Sequence, residues 1–438
     1  MVQVNARFAR RPRGLTLVEM LVAMTCTVLL MLAITQTFQS IGDITAKGRA
    51  GIEMSTQLRG VWLKLQEDLQ AVTVPVRPWP DSAGAAGYLE YYDGLTWRDA
   101  TAQANEYNVY GDVDDILAMT CRTTGEPFVG RYVINNSVTM IQSNVAEVIW
   151  FTRFTDKNGN NTLDAGEPVT LYRRVLLVRP DLNGTNGDLA GYTDATYVNF
   201  LQQNDISVRR SGGNLVANSL ADLTQRENRF AHTVGNYVPA TATSAGHFSA
   251  FPFPISLTNG FMDQAVVLTG DRTGEDVILS NVIAFDIRVF DRFAHIQNSN
   301  GEPVSPGDPG FKSGDPSLAI GQGAYVDLQH AGGSGDFTSV PMTKSLFGNS
   351  YPTYDTWSYF YEHDGVNQNS NSLTDEGTDG IDNVGVGTVA GAVDDVEERE
   401  TSPPYPVPLR GIQIRLRALE RDTRQVRQAT LVQDFLPE

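Results

Sequence analysis

The sequence predicts an α+β protein in which a long N-terminal membrane-spanning helix is followed by a β-rich globular head with long loop insertions. Three observations carry this reading. Residues 15–34 (LTLVEMLVAMTCTVLLMLAI) hold no Lys, Arg or Asp, and Glu19 is their only charge. Past them Ile52, Leu58, Val61, Trp62, Leu65 and Leu69 recur at roughly three-to-four spacing, the period of an amphipathic helix. Beyond Pro80 the chain changes to short β-branched and aromatic segments bounded by Gly, Pro and Asn.

The apolar run is long enough to cross a hydrocarbon core of roughly 30 Å as a helix, and we place the span at 15–38. Arg7, Arg10, Arg11 and Arg13 all precede it. The positive-inside rule then keeps the N-terminus cytoplasmic and exports the large C-terminal part. A cleaved secretory signal would be shorter and would end in a small-residue cleavage site; none stands out before Gln36. A plain single-pass anchor leaves Glu19 unexplained, because a carboxylate inside a membrane span is costly and calls for a specific partner.

The helical pattern runs on to Val72 and is stopped by Pro75, Pro78 and Pro80. A helix over 15–72 would measure about 87 Å. Gly42, Gly48, Gly51 and Gly60 each weaken it, which predicts a bend or break near 42–51. Its second half is expected to lie against the head, residues 75–438. Strand candidates there are 115–122 (DILAMTCR), 131–134, 147–154 (EVIWFTRF), 169–178 (VTLYRRVLLV) and 277–290 (VILSNVIAFDIRVF). Near the C-terminus 410–419 alternates, with Ile412, Ile414, Leu416 and Ala418 on one face; 420–424 turns, and 425–435 returns as the partner strand. A short helix is expected at 219–230. Residues 180–260 and 291–408 read as insertions poor in core residues, leaving a sandwich-like head as surface excursions.

Of 438 residues, 41% are hydrophobic and 19% charged, a globular composition. The formal net charge is −18, and setting aside the four leader arginines leaves 29 basic against 51 acidic residues. That balance argues against a nucleic-acid-binding surface, which needs clustered Lys and Arg, and suits an exported protein that meets cations. Cys26 lies in the apolar run and Cys121 far beyond it, so no intrachain disulfide is expected.

Gly14 ahead of the apolar run and Glu19 five residues on, in G-L-T-L-V-E behind a basic leader, resemble the class III signal of type IV pilins and type II secretion pseudopilins. The resemblance implies that a prepilin peptidase removes residues 1–14 by cutting after Gly14, and that Leu15 is then N-methylated. It also implies that Glu19 meets the N-terminal ammonium of a neighbouring subunit during assembly. In a low dielectric the two charges would relieve each other's burial. The helix end W-L-K-L-Q-E-D-L-Q, the β-rich head, and a terminal hairpin opening P-V-P-L-R-G-I-Q-I-R-L and closing on F-L-P resemble the J-type minor pseudopilin. This likeness covers 13–72 and 407–437, and the stretch between is much longer than in that family. It implies a pilin-like head in the periplasm, a single-pass anchor in the inner membrane, and incorporation into a pseudopilus. The implied partners are I- and K-type minor and G-type major pseudopilins and the secretion assembly platform. W-type minor pilins of type IV pili share the helix end. A pilin-anchored, calcium-stabilised adhesive module is a further reading.

The best ligand candidate is 156–167 (DKNGNNTLDAGE). Counted from Asp156, side-chain oxygens fall at positions 1, 3, 5, 9 and 12, on Asp156, Asn158, Asn160, Asp164 and Glu167. Thr162 stands at position 7, where a backbone carbonyl serves. With this spacing an EF-hand loop wraps Ca²⁺, with affinities on the order of 10⁻⁴–10⁻³ M in extracellular modules. Asn161 replaces the glycine of position 6, and the flanks read as strands instead of helices. A polar hairpin loop has the same composition, so both readings stay open. Residues 375–395 look like a decayed relative of Asp-rich calcium repeats, with Val384 and Val386 where Asp is usual. Enzyme signatures are absent: His232, His247, His295, His330 and His363 are scattered, and GGSGD around Ser334 is no nucleophile elbow. The expected role is assembly, not catalysis.

Overall fold

The structure, a computed structural model, describes residues 14, 16–80, 84, 86–94, 111–134, 136–164, 166–239, 241, 246–313, 315–330, 335–338, 352–369, 371, 373–382, 394, 398–421 and 423–435. The leader arginines, Leu15, Val384 and Val386 lie outside these residues. The chain divides into two units, Met1–Ser55 and Thr56–Glu438.

Helix α1, Leu17–Gln70, begins in the first unit and opens the second. It stays helical through Gly42, Gly48, Gly51 and Gly60, so the expected break does not occur. Each glycine costs about 1 kcal/mol relative to alanine. The four are separated by good helix formers such as Ala46, Lys47, Ala50, Glu53 and Met54, which spread that cost.

In the second unit the strands, in chain order, are β1 (Leu89–Tyr92), β2 (Ile116–Arg122), β3 (Phe128–Ile134), β4 (Ser137–Ser143), β5 (Val145–Phe154) and β6 (Val169–Leu177). Next come β7 (Val208–Ser211), β8 (Asn214–Ala217), and four two-residue strands, β9 (Tyr237–Val238), β10 (His247–Phe248), β11 (Leu257–Thr258) and β12 (Phe261–Met262). The series ends with β13 (Val277–Ser299), β14 (Glu302–Val304), β15 (Ala319–Val326), β16 (Thr353–Asp355), β17 (Gly411–Leu419) and β18 (Val426–Asp434). One antiparallel sheet runs β16-β1-β2-β5-β6-β13-β17-β18, with β14 and β15 also pairing β13. Within β13, residues 277–282 pair β6, 282–289 pair β17 and 289–297 pair β15. The handover falls at a bulge where Asn281 takes φ +55°, a left-handed conformation that Asn tolerates.

The predicted strands are all present, and β13 continues nine residues past Phe290. The expected helix at 219–230 shrinks to Leu220–Leu223 and a 3₁₀ turn at Arg226–Asn228. Helix α2, Tyr197–Gln203, was not foreseen.

Both faces of this ten-stranded sheet are covered, by different material, and four two-stranded sheets (β3-β4, β7-β8, β9-β10 and β11-β12) accompany it in place of a second large sheet among the described residues. On one face the end of α1 buries Leu58, Val61, Leu65 and Leu69. There the Asp68 carboxylate accepts Trp150 Nε1–H (2.9 Å) and two N–H groups of Arg173 (2.7 Å each). On the other face Leu189, Phe200, Leu201, Ile206, Leu215, Leu223 and Phe230 close on Ile116, Ile149, Phe151 and Leu176. The reading of 180–260 as poor in core is therefore corrected: that segment is the second layer. From the 291–408 region, β16 adds to the sheet edge, and Trp357 and Tyr361 pack with Phe253.

Charge locks these layers together. Glu90 on β1 accepts from Arg226 (2.6 Å) and Arg229 (2.9 Å) and pairs with His232 Nε2 (2.9 Å). Arg229 also reaches Asp355 on β16 at 2.9 Å. Burial opposes ionisation here, yet Arg226 and His232 hold Glu90 well below the usual carboxylate range. A buried pair of this kind fixes position more than it adds stability.

Candidate functional site

At the N-terminus Gly14 is exposed, and a Cβ there would meet nothing within 4 Å. Thr16 and Glu19 form a capping box at the start of α1. Glu19 N–H donates to Thr16 Oγ1 (3.2 Å), while Thr16 N–H and Oγ1–H both donate to Glu19 Oε2 (2.9 and 3.0 Å). The T-x-x-E spacing of residues 16–19 is the sequence signature of this box. The apolar window of α1 has mean hydropathy 2.4 and none of it is buried within the chain. Its polar groups are satisfied locally: the hydroxyls of Thr27, Thr35 and Thr37 donate to the carbonyls of Ala23, Met31 and Ala33 at 2.7–2.8 Å. This helix has the length and composition of a single-pass anchor.

The 156–167 loop joins β5 to β6, so its flanks are strands as read. Asp156 accepts N–H groups from Asn158 (3.1 Å), Gly159 (2.6 Å) and Asn161 (2.8 Å). Those groups, Asn161 foremost, hold the Asp156 carboxyl below its ordinary range. Asn161 takes φ +58°, the left-handed turn for which position 6 usually carries glycine. The side-chain amides of Asn158 and Asn160 converge on Asp164 Oδ2 at 2.6 and 2.7 Å. Glu167, 3% exposed, closes the base of the loop by accepting N–H from Lys157 (2.7 Å) and Asp164 (3.0 Å). The structure thus brings Asn158, Asn160 and Asp164 together. It engages Asp156 and Glu167 with backbone, and Thr162 N–H donates to Asn160 Oδ1 at 2.8 Å. Three carboxylates, Asp156, Asp164 and Glu167, stand among the loop's side-chain oxygens, the donor type a hard cation such as Ca²⁺ takes.

Sequence reasoning missed a buried acidic cluster. Asp93, Asp112 and Asp115 bring carboxylate oxygens within 4.8 Å of one another. Asp115 accepts N–H from Gly94 (2.9 Å) and Ile287 (2.6 Å), and Asp93 accepts from Leu328 (2.6 Å). Burial first, then mutual repulsion, pushes Asp112 and Asp115 well above the carboxylate range. No spacing signal could have found this cluster, because Asp93 lies far along the chain from Asp112 and Asp115, and the neighbouring Asp286 and Leu328 come from β13 and from the turn after β15.

Residues 9–35 match the family model described as the prokaryotic N-terminal methylation motif. No curated protein and no solved structure matches the chain. The motif implies processing by a prepilin peptidase and assembly with other pilin-like proteins. A methylation motif leading into a long apolar helix, which ends on an antiparallel β head, supports a type IV pilin-like protein.

Proposed function

We propose that the protein is a minor pseudopilin of a type II secretion system, of the J type, without catalytic activity. Cleavage after Gly14 frees the amine of Leu15 for methylation. The apolar part of α1 holds the chain in the inner membrane and later packs against the helices of other subunits in a pseudopilus. The head stands in the periplasm at the tip, beside I- and K-type minor subunits and above G-type major subunits, after insertion by the assembly platform. Glu19 sets axial register by meeting a neighbour's N-terminal ammonium. The observation that carries the reading is the methylation motif on a helix whose far end is bound to the sheet that β17 and β18 complete. N-terminal mass spectrometry of membrane-extracted protein, with identification of co-purifying pilin-like chains, tests it. A methylated Leu15 accompanied by secretion pseudopilins is expected. An N-terminus not cut after Gly14 would refute processing, and type IV pilus subunits as the partners would reassign the chain to a W-like minor pilin.

A second reading is favoured by the 156–167 loop: a pilin-anchored module whose head is stabilised by Ca²⁺ for binding a surface or ligand. Adhesion that depends on Ca²⁺ and survives loss of secretion would support it.

A further inference from the structure

The hairpin of β3 and β4 is apolar on both of its faces. Its inner face rests on the head through Tyr132 and Ile141, and a Cβ on Gly130 would press on Asp205 and Leu177. The cross-strand pairs on the other face are Val129 with Gln142, Arg131 with Met140 and Val133 with Val138. Val129, Val138 and Met140 are exposed there, Met140 by 64%. A hairpin that sets one face on a core ordinarily turns polar residues to water on the other. This one offers water an apolar patch with an arginine in its middle.

The outer edge of β4 is open. An N–H of Arg179 donates to the Gln142 carbonyl at 2.7 Å, so the backbone of Gln142 points away from β3. By the two-residue period of a strand, the N–H and C=O groups of Val138 and Met140 point the same way. Among the described residues no strand pairs this edge. Edge strands are ordinarily guarded by charge, proline or a bulge. The β4 sequence SVTMIQS has no charge and no proline, and it pairs β3 without a shift of register. Arg131 lies one strand in from this edge. Its backbone N–H donates to Asp205 (2.9 Å), yet that carboxylate is shared between Arg174 (3.3 Å) and Arg272 (2.7 Å). The Arg131 guanidinium makes no ion pair among the described residues, and its Nε is closed off from solvent with no acceptor.

We propose that the β3–β4 hairpin docks an extended segment of a partner protein, apolar at alternate positions and carrying a carboxylate. The segment pairs its backbone with Val138 and Met140 as a third strand. Its outward apolar side chains extend the surface of Val133, Val138 and Met140, and its carboxylate meets Arg131. Arg131 and the added strand are two strand spacings apart, roughly 9–10 Å, a gap that an arginine and a glutamate close between them. Charge decides for an acidic partner over a basic one, because Arg131 brings to this face a cation without a counter-ion of its own. The hairpin belongs to the head alone, so this docking does not depend on the pilin assignment.

The test is fluorescence anisotropy with the full chain in detergent micelles and a short labelled peptide of alternating Thr and Val around a central Glu. Versions with Gln or Lys at the centre, and one N-methylated throughout, complete the set. The Glu peptide should bind about tenfold or more tightly than the Lys peptide, and the N-methylated one should not bind. Arg131→Gln should erase the preference for Glu over Gln. Met140→Pro removes an outward N–H that bonds nothing among the described residues, and should weaken every peptide. No binding of the Glu peptide at millimolar concentration, equal binding of the Glu and Lys peptides, or an undiminished preference in Arg131→Gln would overturn the proposal. So would an N-methylated peptide that binds as well as its parent, a result independent of how Met140→Pro folds. A dimer in sedimentation velocity that Met140→Pro abolishes would make the occupant a second copy and overturn the acidic partner.

Discussion

Asp68→Ala is the sharpest probe of how the helix is fastened to the head. Asp68 sits in the last turn of α1 with 2% of its surface exposed, and it accepts three hydrogen bonds, from Trp150 and Arg173. Removing it leaves the Arg173 guanidinium, whose side chain is 10% exposed, without its counter-ion, and strips the buried Trp150 N–H of its acceptor. Breaking a buried ion pair from one side costs about 3–5 kcal/mol. Asp68→Asn keeps an acceptor but loses the charge, and should cost about 1.5–3 kcal/mol, the worth of hydrogen bonds to a charged group. The assay is urea unfolding of the full chain in detergent, followed by tryptophan fluorescence, with Arg173→Met completing a double-mutant cycle. The double variant should recover part of the Asp68→Ala loss, since no cation is then left unpaired. A cost below about 1 kcal/mol for Asp68→Ala would place the pair among weak surface bridges and refute its role as the fastening.

Three further outcomes are expected. Glu19→Val should allow cleavage and membrane insertion but reduce incorporation into the filament; unchanged assembly would remove the register role. Asp112 and Asp115 have raised folded values, so their stabilising contribution is complete below about pH 4 and is lost as pH rises through those values. In chelator, then, wild type should lose urea resistance from about pH 4 to pH 8, and Asp115→Asn should flatten that slope; an unaltered slope counts against the cluster. For the exposed loop, Ca²⁺ at ten times its Kd should add about 1.4 kcal/mol of stability, and Asp164→Ala should diminish the melting shift. A wild-type head that shows no shift in millimolar Ca²⁺ would sink the calcium reading.

What the sequence revealed follows from how each element is buried. β17 alternates because one of its faces is turned to the core, so Ile412, Ile414, Leu416 and Ala418 were legible one by one. β2 and β5 are covered on both faces and read as largely apolar runs, interrupted at Thr120, Glu147, Thr152 and Arg153, which also betray strands. β1 and β16 carried no such signal. They are four and three residues long, and their buried Glu90 and Asp355 look like surface residues until Arg226 and Arg229 are brought to them. The second layer was misread for a related reason. Leu189, Phe200, Ile206 and Leu215 arrive singly, between Gly and Asn turns, and no period links them. The exposed loop could be located from spacing within twelve residues.

The capping box at Thr16 and Glu19 changes what assembly can gain at this point. In the single subunit Glu19 already has donors, so a neighbour's ammonium would replace existing partners and would not rescue a stranded charge. Subunit addition then becomes a trade at Glu19, nearly level in the contacts given and received. In the proposed filament the drive to assemble would then fall to the apolar flank of α1, while Glu19 would choose among axial offsets. A trade that is nearly level would also be easily reversed.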